Sequence, residues 1–312
     1  MGSVGHVRVG TSGWTYPEWR GVFYPPGLPR GAELEHAAAR VATLELNASF
    51  YALQRPGSYL SWSRRTPPGF CFSVKGWRAV THERRLAGAR QALAAFFASG
   101  VLHLGDRLGP VLWQLPPSLR FEPERLAAFC ALLPRTTTAA AELAASLPAG
   151  PGGGAATAGG APDSGAQSAP DDGADGAGAP VERPLRHALE VRHPSHARAE
   201  LVELLRAHDV ALVTADSAGR WPLLLDQTAG FSYVRLHGSP ELYVSGYDDA
   251  ALDAWALRVR AWAAGGTPPG ARLLAPPDPP APPGGRDVFV YLDNTAAARA
   301  PFDAAALAQR LA

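Results

Sequence analysis

The sequence predicts a (β/α)8 barrel of the TIM type, an α/β fold formed by a single domain. Eight short apolar, β-rich runs are spread evenly along the 312 residues, and segments with helical apolar spacing lie between them. Strands that alternate with helices form a parallel sheet, and eight of them favour a closed barrel over an open sheet. The turn after the first run, from Gly10 to Trp14, lacks the Gly-x-Gly-x-x-Gly spacing of a dinucleotide-binding sheet.

Each element follows from a local pattern. The predicted strands are the runs rich in β-branched and aromatic residues at 7–13, 42–50, 70–76, 109–115, 187–193, 211–217, 231–237 and 288–294. The predicted helices have apolar residues about 3.6 positions apart and lie at 58–65, 84–99, 123–133, 197–208, 250–264 and 301–311.

Two segments fall outside this alternation. Residues 136–183 consist mainly of Ala, Gly and Pro, so they bury too little apolar surface to offset the entropy of ordering them. We predict a disordered insertion there, before the fifth strand and within one domain that spans residues 1–312. The Pro-rich residues 276–285 predict an extended loop before the eighth strand.

Composition restricts the partners. The chain has 29 Lys and Arg against 28 Asp and Glu, so its net charge of +1 provides no field that would attract nucleic acid or an anionic membrane. Cys71 and Cys130 lack metal-ligand spacing and are interpreted as buried thiols. The N-terminus has no signal-peptide pattern, and no run reaches the ~18 apolar residues of a membrane span. We expect a cytoplasmic protein without nucleic-acid or membrane partners.

Candidate functional residues lie where the strands end, because active sites of such barrels lie at the C-terminal ends of the strands. Within three strands, polar residues two positions apart must point to the same side, which we expect to be the barrel axis. These pairs are Glu45 with Asn47, Glu190 with Arg192, and Arg235 with His237.

The predicted roles divide into two groups. We expect proton-moving chemistry from His237, Glu45, Lys75, Glu190 and Asp216. We expect substrate binding by Arg235, Arg192, Asn47, Gln114, Asp293, Asn294, Trp14 and Tyr51.

Structural roles are the alternative for individual members of this set. Gln114 and Asn47 could satisfy buried backbone groups, and Glu190 with Arg192 could form an ion pair. Lys75 could act as a base or Schiff-base former, but pairing with a carboxylate is favoured; His237 is the favoured acid/base group. Buried ion pairs rarely add stability over apolar packing, so function explains the whole set better. The remaining histidines, including His82, are given no role.

Charge balance at the strand ends indicates the ligand. Four carboxylates face Lys75, Arg192, Arg235 and His237, so the surplus of carboxylates that a divalent cation requires is missing. A divalent metal is possible but disfavoured, and no cofactor is predicted. The guanidinium groups favour a small ligand that carries an oxyanion.

Several motifs resemble the YecE-like family, a domain of unknown function with family number 72. They run in the family's order and cover nearly the whole chain outside the two inserts: Val-Gly-Thr-Ser-Gly-Trp at 9–14, Leu-Glu-Leu-Asn-Ala-Ser-Phe-Tyr at 44–51, Phe-Ser-Val-Lys at 72–75, Leu-Trp-Gln-Leu-Pro at 112–116, Glu-Val-Arg-His at 190–193, Val-Arg-Leu-His-Gly at 234–238 and Tyr-Leu-Asp-Asn at 291–294. The resemblance implies a TIM-type barrel with a polar pocket at its C-terminal mouth, and implies no particular reaction. The last motif departs slightly, because many members have a run of asparagines before the acid.

The leading functional hypothesis is an enzyme that uses acid/base chemistry, without a redox cofactor, on a small anionic or sugar-like metabolite. A hydrolase, a lyase or an isomerase would fit. The first alternative is a non-catalytic barrel that binds or senses a small ligand. The second is a nuclease-like barrel, which would need a basic stripe along an extended groove.

Overall fold

The computed structural model describes residues 4–147, 181–277 and 284–312. Eight parallel strands form a closed barrel in chain order, and the first strand pairs with the last from Val7 opposite Val288. The strands are β1 (Val7–Ser12), β2 (Thr43–Leu46), β3 (Cys71–Lys75), β4 (Leu108–Gln114), β5 (His187–Glu190), β6 (Val210–Asp216), β7 (Phe231–Leu236) and β8 (Asp287–Leu292). The predicted TIM-type fold is confirmed.

Helices alternate with the strands on the outside of the barrel. They are α1 (Glu33–Ala38), α2 (Ala48–Tyr51), α3 (Pro56–Arg64), α4 (Arg90–Ala98), α5 (Pro123–Leu132), α6 (Thr137–Ala145), α7 (Ala199–Ala207), α8 (Asp249–Ala263) and α9 (Arg299–Leu311). Pro occupies the first turn of α5, where its missing N–H costs no helical hydrogen bond. The Asp248 side chain caps α8 by accepting a hydrogen bond from the Ala251 backbone N–H.

The barrel interior has two layers: an apolar lower layer toward the N-terminal ends of the strands, and a polar upper layer at their C-terminal ends. Phe289, Tyr233 and Tyr291 belong to the buried apolar cluster that fills the lower layer. The Tyr233 hydroxyl donates to the Glu45 carboxylate, so it joins the two layers. The apolar layer therefore forms the support on which the charged residues above it are positioned.

The second predicted strand is too long. β2 ends at Leu46, and the chain turns at once into α2, so the end of the predicted range 42–50 is helical. The Ser49 hydroxyl donates to the Lys75 backbone carbonyl at 2.7 Å and anchors this turn to the end of β3. The turn brings Phe50 and Tyr51 over the mouth of the barrel.

The predicted helix 84–99 begins too early. α4 starts at Arg90, and the residues before it form a turn in which Arg85 and Leu86 have positive φ. Upstream of that turn, Ala79–Glu83 forms a π-helical turn that places His82 at the mouth of the barrel.

The first part of the predicted insertion 136–183 is helical. Residues 137–145 form α6, whose first turn is capped by the Thr136 hydroxyl at 3.1 Å from the Ala139 backbone nitrogen. The fully buried Ala140 belongs to the main apolar cluster, so this Ala-rich stretch is ordered by packing against the barrel. The central part of the prediction, 148–180, lies outside the described residues, as does 278–283 of the predicted Pro-rich loop.

Two further predictions concern membrane-spanning segments and the two cysteines. None of the helices in the described ranges is long and apolar enough to cross a membrane. Cys130 is buried, as predicted, whereas Cys71 remains partly accessible.

Candidate functional site

A cavity of about 930 Å³ opens at the C-terminal ends of the strands. Ligand sites commonly occupy cavities of roughly 300–1,000 Å³. Basic side chains dominate its charged lining: Arg30, Arg65, Lys75, Arg78, Arg192 and Arg235. Asp293 is the acidic residue among the described residues that line it. The lining therefore carries a net positive charge.

Arg235 forms the centre of the cavity floor and is 1% exposed. Its guanidinium donates to both Glu45 carboxylate oxygens, at 3.1 and 2.7 Å. It also donates to Glu190 Oε2 at 2.9 Å and to Asp293 Oδ2 at 3.1 Å. The hydroxyl of Ser12 accepts a further hydrogen bond at 3.0 Å. We call these five residues the arginine clamp.

The clamp bears on the predicted role of Arg235 in substrate binding. Nε and both terminal nitrogens of Arg235 donate to protein oxygens, so its guanidinium fork is already engaged within the clamp. Burial alone would lower the pKa of Arg235, but Glu45, Asp293 and Glu190 raise it well above its usual value. Burial alone would raise the pKa of Glu190, and Arg192 and Arg235 lower it well below its usual range. The clamp is therefore a buried network of ion pairs beneath the site.

Glu190 connects the clamp to two residues that reach the cavity. Its Oε1 accepts from Arg192 Nε at 2.7 Å, and its Oε2 accepts from the Gln114 amide at 3.0 Å. The Arg192 guanidinium carbon lies 4.2 Å from the centre of the Trp221 ring. Within the part of the chain that the structure describes, the terminal nitrogens of Arg192 have no hydrogen-bond partner. The Arg192 guanidinium is thus held in one orientation at the cavity, and its predicted role in anion binding stays a prediction.

Asn47 offers a second contact for a ligand. Its amide nitrogen donates to the Ser12 hydroxyl at 2.9 Å, and Ser12 in turn donates to Glu45 at 2.7 Å. The carbonyl oxygen of Asn47 is buried and has no hydrogen-bond partner among the described residues. Because an unpaired buried acceptor is costly, this oxygen is suited to accept a hydrogen bond from a ligand.

His237 lies below the cavity surface. It is fully buried and absent from the described lining, with its Nδ1 2.8 Å from Asp293 Oδ2 and its Nε2 3.4 Å from an Arg235 nitrogen. Tyr243 covers it, with a ring-to-ring distance of 5.4 Å. His237, like Glu45 and Glu190, therefore lies beneath the described lining of the cavity, and its predicted role in proton transfer stays a prediction.

Lys75 ends β3 and faces the cavity, where it is 8% exposed. The favoured prediction, pairing with Glu45 or Glu190, is wrong: among residues 4–147, 181–277 and 284–312, no side chain forms an ion pair or hydrogen bond with its Nζ. Its ammonium lies instead 4.6 Å from the centre of the Phe50 ring. Burial, followed by the nearby Arg235, lowers the pKa of Lys75 to about 8. Lys75 is thus the unpaired amine of the site.

Two other predicted residues point away from the cavity. Apolar residues at positions 211, 213 and 215 of β6 face the barrel interior, so Asp216 points outward and accepts from the Tyr247 hydroxyl at 3.2 Å. Asn294 follows the inward-facing Asp293 and donates to Asp303 Oδ2 at 2.7 Å and to a backbone carbonyl. Asp216 and Asn294 anchor loops rather than line the site.

Aromatic side chains, Trp14 and Tyr51 among them, form walls of the cavity. Trp14 packs edge-on against Trp62 with ring centres 6.0 Å apart. Tyr51 packs edge-on against Phe50 and remains 60% exposed. These faces suit a ligand with an apolar or planar part.

Sequence reasoning missed several lining residues. His82 has its Nδ1 2.9 Å from the Thr81 hydroxyl, and its ring packs against Phe50. Burial, together with Lys75, lowers the pKa of His82 to about 4. Arg30, Arg65 and Arg78 lie on loops and helix ends around the mouth, outside the strand ends where polar pairs give a readable signal.

The family model for a protein of unknown function, DUF72, matches residues 8–312. The chain belongs to the DUF72 family. The UPF0759 protein YunF of Bacillus subtilis strain 168 is 29% identical over 126 residues, which are 39% of this chain and 44% of YunF. The aligned part is therefore less than half of that relative.

Solved structures of DUF72 proteins share the fold. One from Thermotoga maritima MSB8 is 22% identical, covers 98% of this chain and 99% of its own, and gives a TM-score of 0.68. One from Enterococcus faecalis V583 is 13% identical, covers 98% of this chain and 95% of its own, and gives a TM-score of 0.65. At these identities the similarity supports the fold of this chain. Its chemistry has to be inferred from the residues of the site.

Proposed function

We propose that this DUF72 protein is an enzyme that binds a small anionic metabolite in the mouth cavity and moves a proton with Lys75. The observation that carries the proposal is the charge distribution in the cavity. The clamp carboxylates are paired with Arg235, whereas Lys75 and the ends of Arg192 have no protein partner within the described residues. A ligand anion would supply the missing counter-charge.

Each proposed contact has a separate task. Arg192, fixed on Glu190 and Trp221, holds the oxyanion, and Asn47 accepts a hydrogen bond from a hydroxyl or amide of the ligand. A pKa of about 8 lets Lys75 act as acid or base near neutral pH. The reaction proposed here uses no redox cofactor and takes place in the cytoplasm.

Binding is tested by thermal unfolding of the wild-type protein against inorganic phosphate, sugar phosphates and carboxylates. A ligand at about 100 times its Kd stabilises the folded state by roughly 2.7 kcal/mol, which raises the Tm of a chain of this length by about 4 °C. Arg192→Met should lose this shift. Arg90→Met, which removes a charge from an exposed position on α4, is the matched control and should retain it.

Catalysis is tested by incubating a metabolite extract with wild-type protein and with Lys75→Met, followed by mass spectrometry. The expected result is depletion of one anionic compound by the wild type only, while Lys75→Met still shows the thermal shift. Binding without turnover by the wild type would contradict the enzymatic proposal and favour the alternative of a non-catalytic sensing barrel.

A further inference from the structure

Lys75 is distinctive in the composition of the whole chain. Of the 29 basic residues counted as Lys and Arg, 28 are arginine, and Lys75 is the remaining one. Arginine stays protonated in proteins, whereas a buried lysine can release its proton and become a nucleophile. The chain therefore uses an amine only at the position inside its cavity.

The surroundings of Lys75 suit a nucleophile. Its Nζ lies against the Phe50 ring, faces the cavity and has no hydrogen-bond acceptor among the described residues, so its lone pair, once the proton is lost, is not engaged. With a pKa of about 8, about a tenth of the amine is neutral at pH 7. A lysine that served only as a counter-ion would be expected to contact one of the carboxylates nearby.

We propose that the ligand is a small anionic aldehyde or ketone and that Lys75 Nζ forms an imine with its carbonyl carbon. This inference rests on the proposed function, because it assumes that the cavity binds an anion. The free ends of Arg192, which line the same cavity, would hold the carboxylate or phosphate of that compound. The amide groups of Asn47 and Gln114 would contact its hydroxyl groups.

The step balances without an oxidant or reductant. The nitrogen lone pair forms the C–N bond while the carbonyl π electrons move to oxygen. One proton passes from nitrogen to that oxygen. A second proton, taken from solvent, lets the oxygen leave as one molecule of water, which gives the protonated imine. His82 lines the cavity and is a neutral imidazole at pH 7, since its pKa is lowered to about 4 by burial and by Lys75. His82 and Lys75 contact the same Phe50 ring, so we assign to His82 the transfer of the proton between the two atoms.

The test is borohydride trapping on the full-length protein. Wild-type protein is incubated with pyruvate, glyoxylate or glyceraldehyde 3-phosphate and sodium borohydride, and its intact mass is measured. Lactate and glycerol 3-phosphate are matched controls, because they carry the same charged groups without the carbonyl. Since the chain has no other lysine, a reduced adduct can form only on Lys75 or on the terminal amine, and peptide mapping separates the two.

The expected result is one saturable adduct on Lys75, suppressed by competing inorganic phosphate and reduced at least tenfold in Arg192→Met at low ligand concentration. Lys75→Met should retain only the adduct of the terminal amine. If that variant fails to fold, the wild-type peptide map still decides the question.

Two outcomes overturn the inference. One is the absence of a Lys75 adduct with all three carbonyl compounds, and the other is unsaturable labelling of Lys75 at the rate of the terminal amine. If anions still raise Tm and Lys75→Met still abolishes turnover, the imine fails while the proposed function stands. If the protein shows no anion binding, no turnover and no adduct, both the imine and the proposed function are contradicted.

Discussion

Replacing Arg235 by methionine tests whether the arginine clamp supports the barrel. The substitution keeps an unbranched side chain of similar length but removes the cation that Glu45, Glu190 and Asp293 share. Of these three, Glu190 keeps a second guanidinium, that of Arg192. Glu45 and Glu190 are 0% exposed and Asp293 is 14% exposed, so water cannot replace the lost partner efficiently. Removing one partner of a buried ion pair typically costs about 3–5 kcal/mol.

The size of the effect can be checked by calorimetry and urea unfolding at pH 7. With an unfolding entropy of about 2.1 cal/mol/K per residue, the loss corresponds to a fall in Tm of ~5–8 °C for a chain of this length. Arg90→Met, at an exposed position, should change Tm little.

The pH dependence gives a second, independent check. The pKa values of Glu190 and Asp293 are lowered in the folded protein, because Arg235 and its neighbours outweigh burial. Their contribution to stability is therefore fully present above the pKa values of the unfolded chain, which are about 4. It is lost as pH falls through the lower pKa values of the folded protein. In Arg235→Met, Glu190 and Asp293 protonate more readily, so the difference in unfolding free energy from the wild type should narrow from pH 7 toward pH 4. A gap under ~1 kcal/mol at pH 7, or one that widens on acidification, would refute the clamp as the support of the site.

Three further predictions concern Lys75 and the two residues that the structure moves out of the site. Reductive methylation with ¹³C-formaldehyde should give one lysine signal that titrates near pH 8, and a midpoint above 10 would contradict the burial described for Lys75. Asn294→Ala removes the donor that lies 2.7 Å from Asp303 and should lower the free energy of unfolding by about 1–3 kcal/mol in urea titrations. If the variant also binds anions more weakly than its lower fraction of folded protein explains, Asn294 belongs to the binding site. Asp216→Asn keeps an acceptor for Tyr247 and should leave turnover unchanged, so a large fall in kcat would show that Asp216 acts in catalysis.

The strand ends illustrate how far a pattern of residues leads. Two-residue spacing correctly predicts that Glu45 and Asn47 point together, because side chains alternate along any strand; both contact the Ser12 hydroxyl. The same rule requires that Asp293 and Asn294, which are adjacent, face opposite sides. For Asp216 the pattern is silent, because it ends a run of apolar residues in which either face could be the inner one.

The sequence by itself determined the barrel, its eight strands and the edge at which polar groups collect, since alternation and periodicity are local properties of the chain. It also determined that this edge would hold both acids and bases. Only the tertiary structure decided which of them pair. Arg235 reaches carboxylates on β2, on β5 and beyond the end of β8, while Lys75 is left unpaired beside Phe50. Those partners are set by strand register around the closed barrel and by the short helix α2, which depend on contacts between residues far apart in the chain.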